Sequence, residues 1–359
     1  MNESVASNPV STKPKTWLKI FIPIFAILLV IIALENCSGN FSTDIKSSNP
    51  LPADGWLVWA STRQEGRHEI YLAKADGNGI IRLTQNGAKH PTWSPDGSWI
   101  SYEAADGSVH VMRPDKSEDK KLLDSGSAPF WMHDGSGLFV VEGSSYSLLD
   151  PETGSKKVLF KKSDFAKVAG KELHPSGITA DGKFLVALSD LYRNGFAGDN
   201  GFFTAVWAAI ILDLDQKDKV FFFGDGCEPT TPPSGSRIYH VFSGAGQSQC
   251  PSGLCPDIQR MDLADLANRS SYASEMAHAD SDWGHEYFPR ISTDGKWLSY
   301  GASTGCHDHD SCDYEIFIHL LGADNSDRQR VTNDPGSDQW PHLFIGELWK
   351  PQSQHRASR

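Results

Sequence analysis

Two histidines and a glutamate stand in the same local setting along this chain. His90 precedes Pro91, His174 precedes Pro175, and Glu228 precedes Pro229. Two imidazoles and a carboxylate facing one axis form a ligand set that suits a divalent transition metal. His285 and His342 fall near the same setting. A second group is packed into one loop, Cys306-His307-Asp308-His309-Asp310-Ser311-Cys312. Adjacent alternating His and Asp converge on an ion only where a loop is tightly wrapped, so a solvated, disulfide-closed loop explains this stretch better. Five of the six cysteines (Cys227, Cys250, Cys255, Cys306 and Cys312) lie in the C-terminal half of the chain, four of them in its last third. Cys250 with Cys255, and Cys306 with Cys312, are close enough to staple their own loops, although sequence alone does not fix the pairing. Neither pair has the two-residue spacing of a zinc knuckle.

What could bring His90, His174 and Glu228 together is the repeat in which they sit. Pro91-Thr92-Trp93-Ser94-Pro95-Asp96-Gly97-Ser98-Trp99-Ile100-Ser101-Tyr102 reads as strand, Asp-Gly turn and strand. Phe288-Pro289-Arg290-Ile291-Ser292-Thr293-Asp294-Gly295-Lys296-Trp297-Leu298-Ser299-Tyr300 is a near copy. Further copies start at Pro129 and Pro175, the latter one residue longer, and a degraded one starts at Pro229. The last, at Pro341, has no strands after it, whereas Trp56-Leu57-Val58-Trp59-Ala60-Ser61 looks like a second strand lacking a first. Each orphan supplies what the other lacks. The expected fold is therefore all-β: a six-bladed β-propeller over residues 53–346, closed by the C-terminal strand and free of exposed sheet edges. In such a ring the residue before each anchoring proline begins the innermost strand at one mouth of the channel. Those residues are Trp340, His90, Ala128, His174, Glu228 and Phe288.

His68-Glu69-Ile70-Tyr71-Leu72-Ala73, the Asp76-Gly77 turn and Ile80-Ile81-Arg82-Leu83-Thr84 complete the first blade, and Tyr314 to His319 with Arg330 to Asp334 fill the same places in the sixth. This order of Glu-Ile-Tyr, Asp-Gly, Arg-Leu-Thr and Pro-x-Trp-Ser-Pro-Asp-Gly resembles the TolB-like, WD-related β-propeller family. The resemblance covers the propeller alone, because the α/β domain that precedes it in TolB has no counterpart here. It implies the fold; TolB's partners among outer-membrane lipoproteins do not carry over with it. Some propeller lyases acting on acidic sugars look similar in placing a histidine-bound metal in the channel.

The 359 residues divide into a polar cytoplasmic segment (1–16), an expected transmembrane signal-anchor (17–34), a flexible tether (35–52), the propeller (53–346) and a frayed tail (347–359). Lys13, Lys15 and Lys19 precede or open the apolar run, which places the bulk of the protein outside the cytoplasm, in the periplasm of a bacterium. Leu34-Glu35-Asn36-Cys37 faintly resembles a lipoprotein box, with Asn36 a poor residue before the cysteine. A net charge of −12 argues against nucleic-acid and anionic-lipid partners. Eleven tryptophans suit packing between twisted sheets. Two insertions, 190–201 and 244–256, interrupt the repeat.

No Gly-x-Ser-x-Gly elbow, phosphate loop or dinucleotide fingerprint is present. The reading favoured by the residues is a membrane-anchored, extracytoplasmic scaffold for envelope proteins or peptides, without a cofactor and more binder than enzyme. The alternative is a metal-dependent polysaccharide lyase or hydrolase at the channel mouth, using His90, His174 and Glu228. A third is a structural part of an envelope complex with no ligand of its own.

Overall fold

The computed structural model describes residues 49–350, apart from 65, 168–171, 191–207, 236, 243–256, 263–272, 277–282, 284, 305–307, 310 and 325–326. These belong to the second of two compact units, Lys46–Arg359. The two insertions and Cys250, Cys255 and Cys306 lie wholly or mainly outside the described residues, as does the segment 17–34. Among the described residues no helix is long and apolar enough to cross a membrane, so the expected anchor gains no support.

The chain is an all-β propeller. Strands β1 (Gly55–Ser61), β2 (Glu69–Lys74) and β3 (Ile81–Arg82) form the first sheet with a C-terminal strand, Asp338–Ile345, on the other side of β1. The second sheet holds β4 (Ala88–Trp93), β5 (Ile100–Ala104), β6 (Val109–Met112) and β7 (Asp119–Leu123). The third holds β8 (Ser127–Trp131), β9 (Leu138–Glu142), β10 (Ser145–Leu149) and β11 (Lys156–Lys161). The fourth runs through β12 (Leu173–Ile178), β13 (Phe184–Ser189), β14 (Ala208–Asp213), β15 (Val220–Thr230), β16 (Arg237–Phe242), β17 (Asp257–Asp262) and β18 (Ala273–Met276). The fifth is β19 (His285–Ile291), β20 (Trp297–Ser303), β21 (Glu315–Leu320) and β22 (Gln329–Arg330), leaving Asp338–Ile345 as β23.

The expectation of six blades is thus corrected to five. The cause is β15, whose eleven residues run unbroken past the degraded repeat at Pro229. Its first part, Val220 to Asp225, pairs with β14, and its second part, Gly226 to Thr230, pairs with β16. No turn separates the fourth and fifth copies of the repeat, so they share one seven-stranded sheet.

Apolar contacts between neighbouring sheets hold the ring. Val58, Ile70 and Leu72 of the first sheet pack with Trp93, Ile100 and Met112 of the second and with Phe344 of β23. Trp99, Val109 and Val111 meet Trp131, Leu138 and Val140 of the third. The Asp96-Gly97 turn lies so close to β23 that a Cβ on Gly97, whose φ is +68°, would sit 2.3 Å from the Phe344 ring. Beyond β23, Leu348 packs on the first cluster and Trp349 stacks 4.5 Å from the Arg113 guanidinium, so the start of the expected frayed tail is pinned.

The repeated motif residues have structural work. Thr84 Oγ1 donates to Glu69 Oε2 (2.6 Å) and accepts the Ile70 N–H (2.9 Å), while Arg82 and the Gly87 N–H hold Glu69 Oε1. The last full copy repeats this, with Arg330 on Glu315 (2.6 Å) and Thr332 Oγ1 accepting the Ile316 N–H (2.8 Å). Both glutamates are buried, so each depends on its partners. A Thr84→Val variant keeps the shape but orphans a buried carboxylate oxygen and a backbone N–H. It is expected to lose about 1–3 kcal/mol in urea unfolding at unchanged m-value. A loss within error would show the clamp to be incidental.

Candidate functional site

Proline has no N–H to give a strand ladder, and this determines the geometry of the channel mouth. Pairing shifts register between Lys89 and Thr92, between Ser127 and Phe130, between Cys227 and Thr230, and between Tyr287 and Arg290. In β23 the shift likewise skips Trp340 and Pro341. At each of these bulges the residue before the proline takes a left-handed backbone: His90 (φ +54°), Ala128 (+51°), Glu228 (+54°), Phe288 (+61°) and Trp340 (+52°). Such angles are costly for residues with a Cβ and gather where a fold builds a site. His174 differs. The extra residue of its repeat moves the shift to between Pro175 and Gly177, and His174 itself pairs regularly with Leu188.

All six residues before the prolines nonetheless line one cavity of about 290 Å³, together with Glu103, Phe130 and Arg290. Its wall is partly aromatic: the Trp340 ring lies 4.4 Å from His90 and 5.3 Å from Phe288. A second, smaller cavity of about 60 Å³ is lined by Thr92, Phe130, Ser176, Thr230, Arg290 and His342, with His133 and Thr231 among its other walls. Those first six are the residues that follow the same six prolines. The channel is therefore built in two tiers, one from each side of the repeated proline, and Phe130, Ser176 and Arg290 belong to both cavities.

His90, His174 and Glu228 thus share a cavity, but they do not form a ligand cluster. Among the described residues, the group of three whose ligand atoms lie within 4.8 Å of one another is Glu315, Asp334 and Asp338. That trio already meets two cations: Arg63 contacts Asp334 (2.8 Å) and Asp338 (3.1 Å), and Arg330 contacts Glu315 (2.6 Å). Burial raises Asp338 to about 7 despite Arg63. Glu228 has a structural partner of its own, since Oε2 accepts the Phe288 N–H and ties one mouth position to the next. Glu103 does the same for Ala128 (2.7 Å) and lies 3.1 Å from His90 Nδ1. His285 is buried at the start of β19. Of the loop cysteines, Cys312 is buried and its Sγ accepts the Asp308 N–H at 3.0 Å.

Charge in the deeper tier follows from enclosure. Burial, with the Arg290 charge adding to it, lowers His342 to about 3, and its Nδ1 accepts the Trp93 N–H (2.9 Å). Burial lowers His133 to about 4, with Nε2 2.9 Å from Thr231 Oγ1. Both imidazoles are neutral at pH 7. Burial raises Glu228 to about 7, outweighing the Phe288 N–H and the Arg290 charge. Arg290 and Glu103 escaped the reading of candidate residues from sequence. The signal for Arg290 was present, as the charged member of an otherwise uncharged column following the prolines.

No family model matches the sequence, and no curated protein does. Among solved structures, TolB from Acinetobacter baumannii is similar at a TM-score of 0.57 and 17% identity, over 82% of this chain and 68% of that one. A TolB from Agrobacterium tumefaciens is similar at 0.52 and 17%, over 81% of this chain and 92% of that one. An oligogalacturonate lyase in complex with manganese aligns at only 0.41 and 14% identity, over 77% and 72%. The TolB likenesses establish a TolB-like propeller fold.

The Glu228 shift has a sign that can be checked. Its ordinary value is 4.5, so between about 4.5 and 7 the folded state holds a proton that the unfolded state has lost. Glu228 therefore costs stability progressively as pH rises through that window. Glu228→Gln retains an acceptor for the Phe288 N–H and removes this cost. The variant is expected to gain on the wild type by up to roughly 3 kcal/mol between pH 4.5 and 8, read from urea midpoints. A pH-independent difference would contradict the assignment.

Proposed function

We propose that this chain is a protein- or peptide-binding scaffold acting outside the cytoplasm, with its partner engaged at the channel mouth. The observation that carries the reading is the cavity of about 290 Å³ built from one residue of every repeat, five of them held in left-handed backbone. Strain repeated around a rigid ring, with aromatic and polar groups side by side, suits recognition by preorganised contacts. The acidic net charge fits a soluble domain with partners other than nucleic acid.

The lyase reading lacks comparable support. It requires His90, His174 and Glu228 to converge on an ion, whereas Glu228 is engaged with Phe288 and no cluster of ligand atoms joins the three.

Ala128 is the place to test the mouth. His90, Phe288 and Trp340 occupy equivalent positions at similar φ, so a bulky photo-crosslinking residue fits there. In an extract of the source cells, a crosslinker at Ala128 is expected to give discrete protein adducts that unlabelled propeller competes away. The same group at Val158, 49% exposed on β11, is expected to give none. Equal labelling at both places, or none at either, would overturn the reading.

A further inference from the structure

Among the described residues, the arginines with little exposure have partners, with one exception. Arg63 binds Asp334 and Asp338, Arg113 binds Glu152 (2.9 Å) over the Trp99 ring, and Arg328 reaches Glu286 (3.3 Å). Arg290 is half-buried and lines both cavities. Among the described residues its guanidinium makes no hydrogen bond and no ion pair. Its electrostatic neighbours are Glu228, which attracts it without reaching ion-pair distance, and the neutral His342. Half-buried on the channel wall, the guanidinium has a fork of donors that no acceptor among the described residues fills and that a ligand entering the channel can use. The open space beside it is the channel.

We propose that the channel is a carboxylate-binding site in which Arg290 grips the ligand's carboxylate and the mouth aromatics hold the group behind it. A planar guanidinium matches a carboxylate through two parallel hydrogen bonds. The rest of the wall selects the anion. Glu103 and Glu228 line the same cavity and disfavour a dianion such as phosphate. Phe130, Phe288 and Trp340 suit a monoanion on an apolar stem. The volume of about 290 Å³ is at the small end of ligand sites and takes one or two amino-acid residues. Such a carboxylate comes either from the C-terminus of a partner chain or from a free small acid. The inference rests on the mouth being the ligand-binding surface, as the scaffold reading holds.

The test uses N-acetyl-phenylalanine and its amide, and an N-acetylated pentapeptide ending in phenylalanine as acid and amide, titrated calorimetrically into the full chain. At least one acid is expected to bind, with its amide at least tenfold weaker. Arg290→Met should abolish binding, and Arg290→Lys should weaken it by keeping the charge but losing the fork. At pH 8, where the Glu228 carboxylate is charged, Glu228→Gln should tighten binding severalfold, because it removes the competing charge while the Phe288 N–H keeps an acceptor. This variant keeps the test decisive if the Arg290 variants do not fold. A pentapeptide acid that outbinds N-acetyl-phenylalanine identifies a partner's C-terminus, whereas equal affinities identify a small acid; both support the site. Acid and amide binding alike, neither binding, or affinity unchanged in Glu228→Gln would overturn it. If the Ala128 crosslink succeeds and the acids fail, this inference falls while the scaffold reading stands.

Discussion

The structure depends on the pairing of its two ends. β23 lies beside β1, with Trp56 opposite Phe344 and Leu57 opposite Leu343, so the last strand of the propeller completes its first sheet. Without it β1 would present an unpaired edge and the apolar cluster between the first and second sheets would lose Phe344. The same strand carries Trp340 and His342 into the two tiers of the channel, so closing the ring and finishing the site are one event. The Gly97 turn resting on Phe344 and the Asp338 carboxylate, bound by Arg63 and the Trp59 indole, fix β23 from two sides.

A second constraint operates within that frame. Five of the six prolines break their strand's ladder at the same point, with a bulge that turns the preceding residue into left-handed backbone. At roughly 1–3 kcal/mol apiece, five such residues represent a considerable store of strain. At two of the five the strained residue's own amide is captured, with Glu103 taking the Ala128 N–H and Glu228 taking the Phe288 N–H. The channel lining is thus set by backbone that has little freedom to relax. A rigid cavity whose Arg290 has no ion pair among the described residues is the chemical consequence, and it distinguishes this channel from the Glu315, Asp334 and Asp338 network, which Arg63 and Arg330 compensate.

Much of this was legible in the sequence, and the reasons are particular. The proline-anchored copies identified the six mouth positions because the Pro and Asp-Gly residues have fixed local consequences. The side chains of Ser94, Thr179 and Ser292 each donate to the Asp two residues on, so the turns form alike in strong and weak copies. Blade number was less legible. Nothing local in residues 220–230 announces that one strand will serve two neighbours, and the degraded copy at Pro229 resembles a blade start. Ligand convergence was least legible, because it depends on which hydrogen bonds each side chain makes after closure. Glu228 reads as a ligand in sequence and acts as a tie between Phe288 and the ring. Arg290 was no candidate in the sequence, and it ends on the channel wall.

Closure by β23 holds the ring and its mouth together as one unit. Hydrogen–deuterium exchange resolved along the chain tests it most directly. The paired amides of β1 and β23 are expected to exchange as slowly as those of β20 and β21, in a single cooperative opening at the global unfolding free energy. Rapid exchange in β23 and β1 while β20 and β21 stay protected would show an open ring, and the channel described here would lose its foundation.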